Sequence, residues 1–68
     1  MIVYINREER VMASGSTLAS LIQSLGQAPE GRGMAVALDG TVVPRARWSS
    51  TELDNGAQVE VVVAVQGG

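Results

Sequence analysis

One short stretch of the sequence has the periodicity of an amphipathic helix, and it constrains the fold more than any other feature. Its apolar residues follow at i, i+3, i+4 and i+7, the spacing of a single helical stripe: Leu18, Leu21, Ile22 and Leu25. Ser16 or Thr17 is placed to cap the first turn, and Gly26 ends the helix. A helix of about eight residues is too short to persist alone in water. The stripe is therefore predicted to pack onto a β-sheet as part of the core.

The segment before this helix is predicted to be a β-hairpin. Met1 to Ile5 is rich in β-branched residues, and alternation places Met1, Val3 and Ile5 on one face. Asn6 to Glu9 is a polar break, after which Arg10 to Ala13 resumes an extended pattern. We expect this second strand to lie at an edge of the sheet.

A second hairpin is predicted after the helix, beyond a polar loop at 27–33 where mobility is expected. Met34 to Leu38 and Thr41 to Val43 flank Asp39-Gly40, a dipeptide that readily takes the positive φ angles of a two-residue turn. Residues 45–50 are predicted to be irregular or a single helical turn. A tight turn at 54–56 then returns the chain to the sheet.

The last strand is predicted to lie in the centre of the sheet, because it is apolar at most positions. Alternation places Val59, Val61, Val63 and Val65 on one face and Glu60, Val62, Ala64 and Gln66 on the other. The order of elements predicts the α+β class, as a ubiquitin-like β-grasp: a mixed five-stranded sheet with one main helix packed across it. Residues 1–68 are predicted to form a single β-grasp domain, with 65–68 as a flexible C-terminal Gly-Gly tail.

Composition excludes several classes of function. The chain has no cysteine and no histidine, which removes cysteine-based mechanisms, the usual general base and the usual soft metal sites. We therefore expect no catalytic residue, no metal site and no bound cofactor, and the domain is predicted not to be an enzyme. The net charge is -2 and all five basic residues are arginines, so no basic stripe is available for nucleic acid and no polybasic patch for a membrane.

The same composition indicates where the chain works and what it meets. The apolar start is too short for a signal peptide and no apolar run approaches bilayer length, which predicts a cytoplasmic protein. A protein partner is the expected ligand. Because lysine is absent, only the amino terminus could accept another copy of the chain, so chains linked to one another are disfavoured.

The C-terminal dipeptide Gly67-Gly68 offers a terminal carboxylate on a tail without side chains, which can enter a slot too narrow for any other residue. The four residues after Ala64, if extended, reach roughly 13 Å at about 3.3 Å each. The alternative is an ordinary frayed end, since chain termini are often loosely ordered.

The sequence resembles the ThiS family of sulfur carriers from thiamine biosynthesis nearly from end to end. The stretches that carry the resemblance are 17–22, 35–40, Val42-Val43-Pro44-Arg45 with Trp48, and Val59-Glu60-Val61 leading to Ala64-Val65-Gln66-Gly67-Gly68. The combination of Val-Pro-Arg, a tryptophan three residues later and a Gln-Gly-Gly end is fairly specific, whereas Gly-Gly alone is weak.

The resemblance implies a role as a protein co-substrate that is a monomer when free. An adenylating enzyme similar to ThiF or MoeB would use ATP and magnesium to activate the carboxylate of Gly68. Sulfur from a donor such as a cysteine desulfurase would then leave a thiocarboxylate there, and a ThiG-like thiazole synthase would take it up.

Seven further residues are candidates for partner contacts. Val65, Gln66 and Gly67 are predicted to be recognised as part of the tail, although Val65 and Gln66 also fit simple continuation of the strand. Arg45, Trp48, Val62 and Ala64 form a candidate partner surface. For Val62 and Ala64 the alternative is a position under the helix, because alternation does not say which face of the sheet the helix covers. For Trp48 the alternative, cover for a small core, is favoured about two to one.

Two alternative functions remain open from the sequence. One is a carrier with the same chemistry for molybdopterin or another thiolation pathway. The other is a ubiquitin-like protein modifier or a plain binding module, in which Gly68 would form amide bonds with lysines or do nothing.

Overall fold

A five-stranded sheet and one α-helix make up most of the described part of the computed structural model, residues 1–26 and 33–63. The helix, α1, spans Leu18–Ser24. The strands, in chain order, are β1 (Ile2–Ile5), β2 (Glu8–Val11), β3 (Met34–Leu38), β4 (Thr41–Val42) and β5 (Gln58–Val63). A 3-10 helix over Arg45–Ser50 follows β4, where the sequence predicted irregular structure or a single helical turn.

The sheet has the order β2-β1-β5-β3-β4. β1 and β5 run parallel, and the other neighbours are antiparallel, so the sheet is mixed. β5 lies in the middle and β2 at an edge, as the sequence predicted. With α1 packed across one face, this is the predicted β-grasp.

The first hairpin turns more tightly than the sequence predicted. Asn6 and Arg7 both have positive φ angles, 49° and 71°, and they alone form the turn between β1 and β2. Glu8 and Glu9, predicted as part of the break, therefore belong to β2. A two-residue turn with both φ angles positive fits the right-handed twist of paired strands, and this outweighs the low strand propensity of the two glutamates.

The second hairpin follows the prediction closely. Asp39 and Gly40 form its turn with φ angles of 48° and 86°. β4 ends at Val42 instead of Val43, although the Val43 N–H still donates to the Val36 oxygen at 2.9 Å. Pro44 has no N–H with which to continue the ladder.

The helix begins at a capping box. Thr17 accepts at its side-chain oxygen from the Ser20 N–H, and the Ser20 hydroxyl oxygen accepts from the Thr17 N–H. Leu18, Leu21 and Ile22 are completely buried, which confirms the predicted stripe. Leu25 is the C-cap and is partly buried, and Gly26 follows it with a φ angle of 81°, so the helix ends at this glycine as predicted.

The core lies between α1, the 3-10 helix and one face of the sheet. Its strand residues are at most 8% exposed: Val3, Ile5, Val36 and Val59. Alternation placed Val3, Ile5 and Val59 on this face, but Val63, assigned to the same face as Val59, is 51% exposed at the end of β5, where β1 no longer lies beside the strand. Leu53 and Ala57, which stand before and after the 54–56 turn, are also buried in the core. Within residues 1–26 and 33–63, no helix is long and apolar enough to cross a membrane.

Trp48 corrects one of the sequence-based site predictions. Its side chain is only 2% exposed, and its indole Nε1–H donates to the Val43 oxygen at 2.9 Å. The ring is therefore core cover, the favoured alternative, because its area is already buried and its one polar group is satisfied. Trp48 does not belong to the candidate partner surface.

Candidate functional site

β5, the central strand of the sheet, is the last strand before the C-terminal residues. β5 is paired with β3 as far as Val63, whose partner is Met34. Ala64, Val65, Gln66, Gly67 and Gly68, all predicted as site residues, lie outside the described residues, as does most of the predicted 27–33 loop. The structure therefore describes β5 as far as Val63, and we call Val61 to Val63 the base of the tail. The roles of the tail residues stay predictions.

The base of the tail is held from both sides. On one side, antiparallel pairing to β3 runs through five consecutive positions of β5, from Val59 to Val63. On the other side, pairing to β1 covers only Gln58 and Val59, after which the Asn6 side chain contacts the backbone of Val61. The sequence analysis assigned Asn6 only to a polar break. The available signal was the tolerance of asparagine for positive φ.

The face of the sheet opposite α1 carries an apolar patch next to this base. Val62 is 63% exposed, so it faces solvent and does not lie under the helix. Its cross-strand partner is the exposed Ala35. Two residues further along β3, Ala37 pairs with Val42 of β4, which is 68% exposed. We call Ala35, Ala37, Val42 and Val62 the open-face patch.

One acidic residue shares the face of the open-face patch, and one basic residue follows its edge strand, β4, along the chain. Glu60 lies on the same face of β5, opposite Ala37, and is exposed. Arg45 is exposed and follows β4 after Pro44. Because β4 runs antiparallel to β3, its C-terminal end lies at the end of the sheet where β5 reaches Val63. The structure thus brings Arg45 and Val62 to the same end of the sheet.

A groove of about 410 Å³ lies on the helix side of the sheet, between β2 and the C-terminal end of α1. Its lining includes Glu8, Glu9 and Arg10 of the edge strand together with Leu25 and Val61. Among residues 1–26 and 33–63, no cluster of acidic side chains could hold a metal ion, and no buried side-chain polar atom lacks a hydrogen-bond partner. The described residues that line the groove include no serine, threonine, tyrosine or lysine that could act as a nucleophile beside its glutamates.

The chain matches the model of the ThiS family over residues 3–68. Among curated protein sequences, none matches it. Among solved structures, a crystal structure of the thiamine biosynthesis protein ThiS from Geobacter metallireducens has a TM-score of 0.82 and 24% identity, with 100% of both chains covered. A solution NMR structure of a thiamine biosynthesis protein from the same organism has a TM-score of 0.80 and 24% identity, covering 100% of this chain and 88% of that one. At this identity the structural likeness establishes the fold.

Proposed function

The chain belongs to the ThiS family, and on this premise we propose that it is a sulfur carrier protein that supplies sulfur for thiazole formation in thiamine biosynthesis. The observation that carries the proposal is the placement of β5. The central, doubly held strand of the sheet runs to Val63 and leads into a sequence that ends in Gln66-Gly67-Gly68. The folded body is thus built around the strand that bears the terminal carboxylate.

The chemistry of a terminal carboxylate explains why such a carrier needs an activating partner. The group is ionised at neutral pH, so its carbon is shielded by negative charge and it has no good leaving group. In the proposed reaction a carboxylate oxygen of Gly68 attacks the α-phosphorus of ATP, and pyrophosphate leaves. Hydrosulfide, or a persulfide from a sulfur donor such as a cysteine desulfurase, then attacks the acyl carbon and releases AMP. With hydrosulfide the direct product is a thiocarboxylate on Gly68. With a persulfide the product is an acyl disulfide, and a thiol of the donor or partner enzyme must then attack its S–S bond, which releases the thiocarboxylate and leaves a disulfide between the two thiols.

The folded body is proposed to stay outside the partner enzyme and to hold the tail, which enters the active site. Five residues follow Val63, and when extended they span about 17 Å, which is enough to reach a nucleotide bound inside a partner while the sheet stays outside. ATP and magnesium would be bound by that partner, an adenylating enzyme similar to ThiF or MoeB. A ThiG-like thiazole synthase would receive the sulfur.

The open-face patch is proposed as the docking surface for the adenylating enzyme. Val62 and Val42 are branched apolar side chains more than half exposed, and burying such groups drives association. The patch adjoins the base of the tail, so docking there would fix where the tail begins. Arg45, at the same end of the sheet, is proposed as a charged contact at its rim, and Ala64, Val65, Gln66 and Gly67 as the residues recognised inside the partner.

Pyrophosphate exchange tests the adenylation step. With a ThiF-type enzyme, ATP and magnesium, the chain is expected to support exchange of labelled pyrophosphate into ATP. Deleting Gly68 should reduce the rate about 100-fold or more, because it retracts the carboxylate by about 3.5 Å and attack requires near-contact geometry. Failure of the intact chain to support exchange, with an enzyme active on its own carrier, would contradict the proposal.

The acceptor enzyme distinguishes the proposed pathway from the related one. A chain that carries the thiocarboxylate is expected to lose its sulfur to a ThiG-like thiazole synthase supplied with that enzyme's other substrates. Discharge only by a molybdopterin-forming enzyme would reassign the pathway. Conjugates with lysines of other proteins would indicate a modifier instead.

A further inference from the structure

β5 extends beyond the strand that pairs with it on one side. β1 ends at Ile5, opposite Val59, whereas β5 continues to Val63. Odd-numbered residues turn their backbone groups toward β1 from Ala57, just before β5, onward: the Tyr4 N–H donates to the Ala57 oxygen at 2.9 Å and the Asn6 N–H to the Val59 oxygen at 2.8 Å. The next groups on that side belong to Val61, where β1 supplies no further strand.

The side chain of Asn6 takes the place of the missing strand. Its Oδ1 accepts from the Val61 N–H at 2.9 Å, and its Nδ2 donates to the Val61 oxygen at 3.2 Å. In a parallel ladder these two bonds would come from the carbonyl of one residue and the N–H of the residue two positions later. One amide side chain therefore supplies the two bonds that a longer β1 would have made.

Asparagine suits this position for two reasons. Its φ angle of 49° turns the backbone away from β5 into the hairpin, and asparagine is among the residues that tolerate this conformation. Its side chain also carries an acceptor and a donor on one short planar group. Glycine would allow the turn without the bonds, and aspartate would supply only acceptors.

We propose that Asn6 is a positioning residue for the sulfur-carrying C-terminus. Its two hydrogen bonds to Val61 fix the last part of β5, so that the tail leaves the sheet at one place and in one direction relative to the open-face patch. This inference rests on the proposed function, because positioning is relevant only if the tail must reach a partner's active site. Without the bonds, the body would still dock, but the tail would enter the active site in a smaller fraction of complexes.

The test compares Asn6→Gly with Arg7→Gly as activation substrates. Both residues have positive φ angles in the same turn, so glycine fits both positions and increases the freedom of the unfolded chain at both. Only Asn6→Gly removes the bonds to Val61. The measurements are kcat and KM for pyrophosphate exchange with the adenylating enzyme, and amide hydrogen exchange across β5.

Positioning and a simple loss of stability give different kinetics. Asn6→Gly is expected to lower kcat about tenfold with KM within about twofold, the effect of losing two modest hydrogen bonds that hold the tail's base. Exchange at the Val61 N–H should accelerate about tenfold, while the Val62 N–H, which faces β3, should not change. If the variant only unfolded more, a higher protein concentration would restore the rate, so KM would rise and kcat would not fall.

Three results would overturn the positioning role of Asn6. A kcat for Asn6→Gly equal to that of Arg7→Gly, while the wild-type chain is activated normally, would overturn the positioning role and leave the proposed function intact. Unchanged exchange at Val61 would also overturn it, whether or not an activating enzyme is at hand. A wild-type chain that no adenylating enzyme activates would remove the proposed function and, with it, the positioning role.

Discussion

Replacing Leu21 with alanine is expected to lower the free energy of unfolding by about 2–5 kcal/mol, as truncations of fully buried leucines do. Leu21 is completely buried where α1 packs on the sheet. A domain of this size has a total stability of only about 3–10 kcal/mol, so the variant should lose a large part of its folded population near 37 °C. Urea unfolding followed by circular dichroism measures the change.

Gln23→Ala is the matched control for this prediction. Gln23 lies two positions further along the same helix and is exposed. Glutamine and alanine have similar helix propensities, so the free energy of unfolding should stay within about 0.5 kcal/mol of the wild-type value. Equal, small losses in the two variants would contradict the packing of α1 described above.

Replacing Val62 with arginine is expected to lower kcat/KM for adenylation about 10- to 100-fold. The substitution places a charge in the middle of the open-face patch, where docking would have to remove its water. Since Val62 is 63% exposed in the free domain, the fold should tolerate the longer side chain. Pyrophosphate exchange measures the rate, and thermal unfolding checks that the melting temperature is retained.

Gln23→Arg introduces the same side chain on the helix, across the domain from the open-face patch. It is expected to keep kcat/KM within about twofold, because a solvated surface charge away from the interface costs little. A Val62→Arg variant that is folded and is activated at the wild-type rate would show that the partner docks elsewhere.

Much of the fold could be predicted from local sequence signals. The Leu18 to Leu25 spacing identifies the helix stripe, and Asp39-Gly40 identifies a two-residue hairpin, because glycine there removes the steric cost of a positive φ. The apolar character of most positions in β5 predicts its place in the centre of the sheet. The helix spacing and the turn dipeptide are local signals, and the apolar character of β5 reflects only the burial of that strand.

The features that the sequence did not predict either lack a strong local signal or depend on how segments far apart in the chain pack together. Asn6-Arg7 contains no glycine, so its two-residue turn had no strong local signal, and the contact from Asn6 to Val61 depends on the register of β1 against β5. Trp48 could be core or surface on composition alone. Its burial follows from the 3-10 helix at 45–50, which brings the indole within reach of the Val43 oxygen.

The candidate site could be predicted in part. Val62 was identified as an exposed or helix-covered position, and the fold resolves this because alternation from the buried Val59 puts Val62 on the opposite face. Arg45 reaches the same end of the sheet only through the antiparallel pairing of β3 and β4. The functions of Gly67 and Gly68 come from the chemistry of the chain end and the family, as proposals.

Intact mass spectrometry tests the central proposal most directly. The chain is incubated with ATP, magnesium, a ThiF-type adenylating enzyme and a sulfide source, beside a variant that lacks Gly68. The proposal predicts a gain in mass of about 16 Da, the replacement of one oxygen by sulfur, located at Gly68 by fragmentation and absent from the shortened variant. An unchanged mass, with an adenylating enzyme that modifies its own carrier under the same conditions, would contradict the assignment as a sulfur carrier.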